Sequence, residues 1–298
     1  MGGMSESHTP RSGDEGVTLA RLKRLAERHP ALSFALTPMR LKIAASYYAS
    51  AAGAVARWLL RSREYTNFTY DYSAASLEYL AHHLALVTGC PVGALRAYLA
   101  EPTENAELNR TVREQGEASD RRAVLDREVR LGKQRIWYAL ARALKPGRVV
   151  EAGVGPGLAA VVLAEALLKN AGEGNGGEYL GIDRDPRAGV LLGTRQRSVA
   201  GIIHGDSVST LQDLGQSVDL FITDSHVSPD VEYAECRAVD PWLTERAVVG
   251  TTVTTRLPAF AEETGRAFFG FKEEPRDHWY PGQWIGLAFR PLSGAVAR

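Results

Sequence analysis

The sequence predicts an α/β protein whose second half is a doubly wound, mostly parallel sheet and whose first half is helical. Three observations predict it. Residues 17–144 show helical spacing of apolar positions and no alternating run long enough for a useful strand. From Gly147 onward, short β-branched or apolar runs alternate with helical stretches, the pattern of strands joined by crossover helices. At the joint, Arg148 to Gly157 (RVVEAGVGPG) sets a short apolar run, bounded by the Lys145-Pro146-Gly147 turn, directly before three glycines and a helical stretch.

A chain of 298 residues has room for two domains, or one with a large extension. The expected layout is a disordered tail over 1–16, a helical N-terminal cap and dimerisation region over 17–145, and a ligand-binding sheet domain over 146–298. Lys+Arg and Asp+Glu both number 35, which argues against broad attraction to nucleic acid or to an anionic membrane. No uninterrupted apolar run of about 18 residues occurs, so no transmembrane helix is expected. Cys90 and Cys236, far apart and outside any CxxC pair, read as free thiols in a reducing compartment, and the cytoplasm is the expected location.

In the helical half, breaks fall at His29-Pro30, Thr37-Pro38, Gly89-Cys90-Pro91 and Glu101-Pro102. Leu41 to Leu60 is rich in alanine and carries Tyr47, Tyr48, Val55, Trp58 and Leu59, which predicts a helix buried on more than one side, in a core or a dimer interface. Asn67 to Ser73 packs three aromatics, an amide and an acid into one break, and Ser73 can cap the helix Ala74 to Val87. It reads either as a capping loop whose rings plug a seam, or as a lid that offers Tyr70 and Tyr72 to a small molecule. Asp120 to Leu144 reads as one charged helix with Val124, Val129, Ile136, Leu140 and Leu144 mostly on a stripe, its arginines interleaved with acids as on a solvated face.

Strands are expected at 148–152, 179–183, 200–204, 218–224, 246–251, 266–271 and 284–290. Helices are expected between the first five, and at 257–265 before a closing hairpin pair.

The glycines Gly153, Gly155 and Gly157 let the backbone turn sharply after the first strand and let a ligand approach the start of the following helix. A dinucleotide fingerprint would place glycine at 158, where this chain has Leu158. Glu151 puts an acid at the strand end, which repels a pyrophosphate and suits a cationic ligand. The second strand ends in Asp183, where a carboxylate can accept both hydroxyls of a ribose, or can cap the segment that starts at Pro186.

These elements, and Val150 to Gly157 above all, resemble the first motif of the class I S-adenosylmethionine-dependent methyltransferases, with the later strand ends following in the family's order over roughly residues 146–298. The resemblance implies a Rossmann-like seven-stranded methyltransferase sheet and S-adenosylmethionine as the cofactor. It implies that Asp206 accepts from the adenine amino group and that the backbone of Ser207 meets the ring, with a cap on the helix Val208 to Leu214 as the alternative for Asp206. It also implies that Val218 to His226 is the post-strand motif of small-molecule O- and N-methyltransferases, facing the donor methyl group. The donor is already activated, so the protein has to align a nucleophile and remove its proton when that nucleophile is a hydroxyl. His226 is the candidate base, with a loop or capping role as the alternative, and Asp224 orients it or holds the methionine amine.

Catechol-type relatives hold magnesium with an acid after strand four and a carboxylate pair after strand five. Strand five here ends Val249-Gly250-Thr251-Thr252, which predicts a reaction without a metal. The ring-rich stretch Asp277 to Trp284 reads as a packed lid with His278 and Tyr280 as further substrate candidates. The expected function is methyl transfer to a small molecule, first to a hydroxyl and second to an amine or guanidine, by a homodimer. A silent S-adenosylmethionine-binding scaffold is the rival from another class, and Leu158 with Glu151 counts against a nicotinamide enzyme.

Overall fold

The computed structural model describes residues 21, 24, 28, 29, 34, 36–65, 69–225, 228–252 and 255–291, apart from the side chains of Tyr47 and Ser50. The expected tail 1–16, Asn67, Phe68 and His226 lie outside the described residues. The chain divides into two compact units, Met1–Leu60 and Arg61–Arg298.

In the first unit, α1 (Thr37–Arg61) forms where the alanine-rich pattern predicts it, and its last residue belongs to the second unit. Leu41, Tyr48, Leu59 and Leu60 stand exposed in the single chain, so of the two expected settings, a core or a dimer interface, this face is not in a core of the chain itself. Alanine favours helix through backbone and side-chain entropy, which operates without burial.

The second unit opens with β1 (Asp71–Tyr72), α2 (Ala74–Thr88), α3 (Val92–Glu104) and α4 (Ala106–Ala118). Ser73 caps α2 by accepting from the Ser76 N–H, as its position predicted, and Asn105 caps α4 through Leu108 N–H. The expected helix over 120–144 is corrected: no helix forms over 119–133, and only α5 (Gln134–Leu144) is helical. The cause is local. Ser119 Oγ both donates to the Gly116 carbonyl and accepts from Arg121 N–H, competing with helical bonding. Gly132 sits at φ 36° immediately before α5. Ile136, Trp137, Leu140 and Ala141 bury α5 in the same core as α2, α3, α4 and the sheet.

The sheet follows as β2 (Arg148–Ala152), α6 (Leu158–Gly172), β3 (Glu178–Asp183), β4 (Ala200–His204), α7 (Ser207–Gln212), β5 (Val218–Thr223), α8 (Pro229–Val239), β6 (Leu243–Thr251), α9 (Leu257–Glu263), β7 (Ala267–Lys272), β8 (Pro275–Arg276) and β9 (Trp284–Phe289). Among the described residues the order is β4-β3-β2-β5-β6-β9-β7. The first five strands are parallel, β9 runs antiparallel between β6 and β7, and the seven-stranded sheet matches the expectation. No α-helix forms between β3 and β4. Side-chain oxygens of Asp183 and Asp185 accept from backbone N–H groups two residues on, and Gly189 turns the chain at φ 73°. A short 3-10 turn at Gln196–Ser198 completes the crossing. Cys236 is buried and Cys90 half-buried, both as free thiols.

A two-stranded pair, β1 with β8, was not expected. It joins Asp71 to Arg276 and Tyr72 to Pro275, tying the start of the helical region to the loop before β9.

Candidate functional site

A cavity of about 510 Å³ opens at the C-terminal ends of β2, β3 and β5. The order of strands reverses at β2, so the exits of β2 and β5 diverge and leave a crevice. Gly153, at φ 88°, donates its N–H to the Ile182 carbonyl at 2.9 Å, and a Cβ there would come within 2.5 Å of Ser225 Cα. Only glycine lets those two backbones touch. Gly157 packs the same way, since a Cβ would stand 2.7 Å from Gly189 Cα. Gly155 has open space on its Cβ side and donates to Asp183 Oδ2 at 2.8 Å.

Asp183 lines the cavity with both carboxylate oxygens held by backbone, the second by Asp185 N–H at 2.9 Å. Glu151 also lines it, yet is only 1% exposed, and the Tyr179 hydroxyl donates to it. Burial pushes its carboxyl up to about 8, against which the Tyr179 hydrogen bond is the smaller effect. Glu151 therefore holds its proton to higher pH than an ordinary carboxyl does. Asp224 is fixed by its N–H to the Ala152 carbonyl at 2.8 Å. Its side chain takes Lys133 Nζ on one oxygen at 2.6 Å and the Thr252 hydroxyl on the other at 2.7 Å.

The opposite wall comes from the two residues before β1 and the loop before β9. Tyr70 and Tyr280 line the cavity beside Thr69 and Gln283. The Tyr70 hydroxyl donates to Glu273 at 2.6 Å, the Tyr72 hydroxyl at 2.5 Å and the Gln283 N–H at 3.0 Å, while Glu273 is 2% exposed. Burial, then the neighbouring Glu273 charge, drives both phenols well above their ordinary value, so they act as donors.

Of the residues expected from sequence, Glu151, Gly153, Gly155, Asp183, Asp224, Tyr70 and Tyr280 meet at this cavity. Gly157 supports it from behind. Tyr72 lies in the core, and His278 accepts from Tyr280 N–H at 3.0 Å beside the Tyr70 ring, outside the wall. Asp206 and Ser207 are also outside. Asp206 caps α7 through Ser209 N–H, which with Arg184 pulls its carboxyl down to about 2, and Ser207 Oγ donates to Glu235 at 2.6 Å. The sequence reading missed Lys133 and Glu273. A Gly-Lys pair just before an apolar helix was the available signal for the first; Glu273 had none, because its partners Tyr70 and Tyr72 are some 200 residues away.

Residues 150–251 match the model of a family described as a methyltransferase domain. No curated protein sequence matches the chain. Among solved structures, an O-methyltransferase from Bacillus cereus with bound SAH is 12% identical with a TM-score of 0.48, over 65% of this chain and 96% of that one. The O-methyltransferase TomG from Streptomyces achromogenes, in complex with SAM, is 14% identical with a TM-score of 0.46, over 66% and 95%. A methyltransferase from Geobacter sulfurreducens is 20% identical with a TM-score of 0.42, over 61% and 89%. Residues 150–251, which carry the glycine turn and the acids at successive strand exits, are therefore similar to a methyltransferase domain.

Proposed function

We propose that the protein transfers a methyl group from S-adenosylmethionine to a hydroxyl of a small molecule, without a metal ion. The observation that carries this reading is the cavity in which Gly155, Asp183, Glu151 and Asp224 converge. These residues fit the donor. Asp183, held by two backbone N–H groups, presents lone pairs to a ribose diol; Gly155 leaves room for close approach; Asp224 and Glu151 offer carboxyls to an ammonium or sulfonium. S-adenosylmethionine supplies an electrophilic methyl group when bound. The chain's task is to orient the acceptor against Tyr70 and Tyr280, keep water out, and accept the hydroxyl proton, for which His226 is the proposed base.

The donor set supports a metal-free reaction, because the β6 exit supplies Thr251 and Thr252 hydroxyls while Asp224 is already held by Lys133 and Thr252. Self-association through α1 would cover its exposed Leu41, Tyr48, Leu59 and Leu60, which supports a homodimer. No helix among the described residues is long and apolar enough to cross a membrane, and the free thiols favour the cytoplasm. Methyl transfer from labelled S-adenosylmethionine across a panel of hydroxyl and amine metabolites tests the proposal. It predicts ether or ester products that persist with EDTA and are lost in His226→Ala; products on nitrogen alone, or loss of turnover with EDTA, would refute it.

A further inference from the structure

We propose that Glu235, which does not line the cavity, is a positioning residue that sets the donor end of the site; this rests on the S-adenosylmethionine reading above. Glu235 lies on α8 and is 0% exposed. Its Oε1 accepts from Ser207 Oγ at 2.6 Å, and its Oε2 from Thr223 Oγ1 at 2.5 Å and Ser225 Oγ at 3.3 Å. No lysine or arginine among the described residues pairs with it. A buried carboxylate without a cation is costly unless hydrogen bonds satisfy it, and here three hydroxyls do so.

The origin of those hydroxyls gives the group its role. Ser207 follows the exit of β4, Thr223 ends β5, and Ser225 comes two residues later. Thr223 and Ser225 flank Asp224 in the chain, so one carboxylate anchors both neighbours of the residue that meets Lys133 in the cavity. Ser225 is also the residue whose backbone abuts Gly153. Glu235 thus anchors the residues on both sides of Asp224 and holds the β5 exit against the glycine turn, which places Asp224 where Lys133 and Thr252 meet its side chain.

Titration calorimetry with S-adenosylhomocysteine, run beside the melting temperature of the ligand-free protein, tests this. Glu235→Gln keeps the shape but exchanges one acceptor oxygen for an N–H donor, and should weaken S-adenosylhomocysteine about tenfold. Ser225→Ala should weaken it in the parent and far less in the Glu235→Gln background, a coupling in affinity that a merely structural role would not produce. Glu165→Gln is the control: Glu165 is 3% exposed and bonded to Arg195 and Gln196, so its loss should lower the melting temperature and leave affinity unchanged. Parent-like affinity in Glu235→Gln, or additive effects in the double variant, overturns the proposal. Should Glu235→Gln fail to fold, Thr223→Val deletes one donor alone; unchanged affinity there overturns it equally. A parent protein that does not bind S-adenosylhomocysteine at all would instead overturn the reading beneath it.

Discussion

Glu151 shows how far a single residue's chemistry can be read from its place in the chain. That an acid stands at the end of β2 follows from the strand, turn and helix grammar, and the same holds for Asp183 and Asp224. Its protonation does not, because it depends on burial among residues distant in sequence. The ordinary value of 4.5 rises to about 8 in the folded protein, so folding retains a proton that the unfolded chain releases. The stability this contributes is present below about 4.5 and is lost as pH rises through about 8. Binding a cation favours the ionised form. Affinity for S-adenosylhomocysteine, whose amino group is cationic, should therefore rise between about pH 6 and 8 with release of up to one proton. Calorimetry in buffers of different ionisation enthalpy reads that proton, and Glu151→Gln should abolish both the release and the pH dependence. A flat profile in the parent would contradict the assignment. Lys133 escaped the sequence for a related reason: among the arginines of 120–144 its charge looked like part of a solvated face, and only the turn at Gly132 aims it at Asp224.

At the scale of elements, strands were legible because apolar β-branched runs bounded by glycine or proline carry their own signal, and all seven expected strands formed within a few residues of their predicted bounds. What failed depended on long-range partners or on local competition. The two residues of β1 have no periodicity to read, and they exist as a strand because β8 pairs with them. The link between β3 and β4 turns instead of coiling because Asp185 and Gly189 favour turns over helix. The β1 and β8 pair lies next to the cavity wall formed by Thr69, Tyr70, Tyr280 and Gln283, and buried Glu273 accepts from Tyr70 and Tyr72 there. Tyr72→Phe removes a hydroxyl from that buried carboxylate and should destabilise the fold by about 1–3 kcal/mol. Urea unfolding of both proteins measures the loss; an unchanged midpoint would show that Glu273 does not need the second phenol.

For the molecule as a whole, helices α2 to α5 and the sheet share one core within Arg61–Arg298. Trp137 of α5 is fully buried, and its ring lies 2.6 Å from where a Cβ on Gly250 of β6 would stand. Trp137→Ala should therefore cost about 3–5 kcal/mol, as a large cavity at a helix and sheet contact does. Far-ultraviolet and near-ultraviolet signals of this unit should be lost together on heating; separate transitions would show that the helices and the sheet fold apart. The same arrangement brings Tyr70 and Lys133 from the helical region over carboxylates from the sheet, so the cavity exists only in the assembled unit. The most direct measurement is calorimetric titration of the whole chain with S-adenosylhomocysteine and, separately, with NAD. Saturable one-to-one binding of S-adenosylhomocysteine, weakened about tenfold or more by Asp183→Ala and with no heat from NAD, is the predicted result. Preference for NAD, or S-adenosylhomocysteine affinity indifferent to Asp183→Ala, would contradict it.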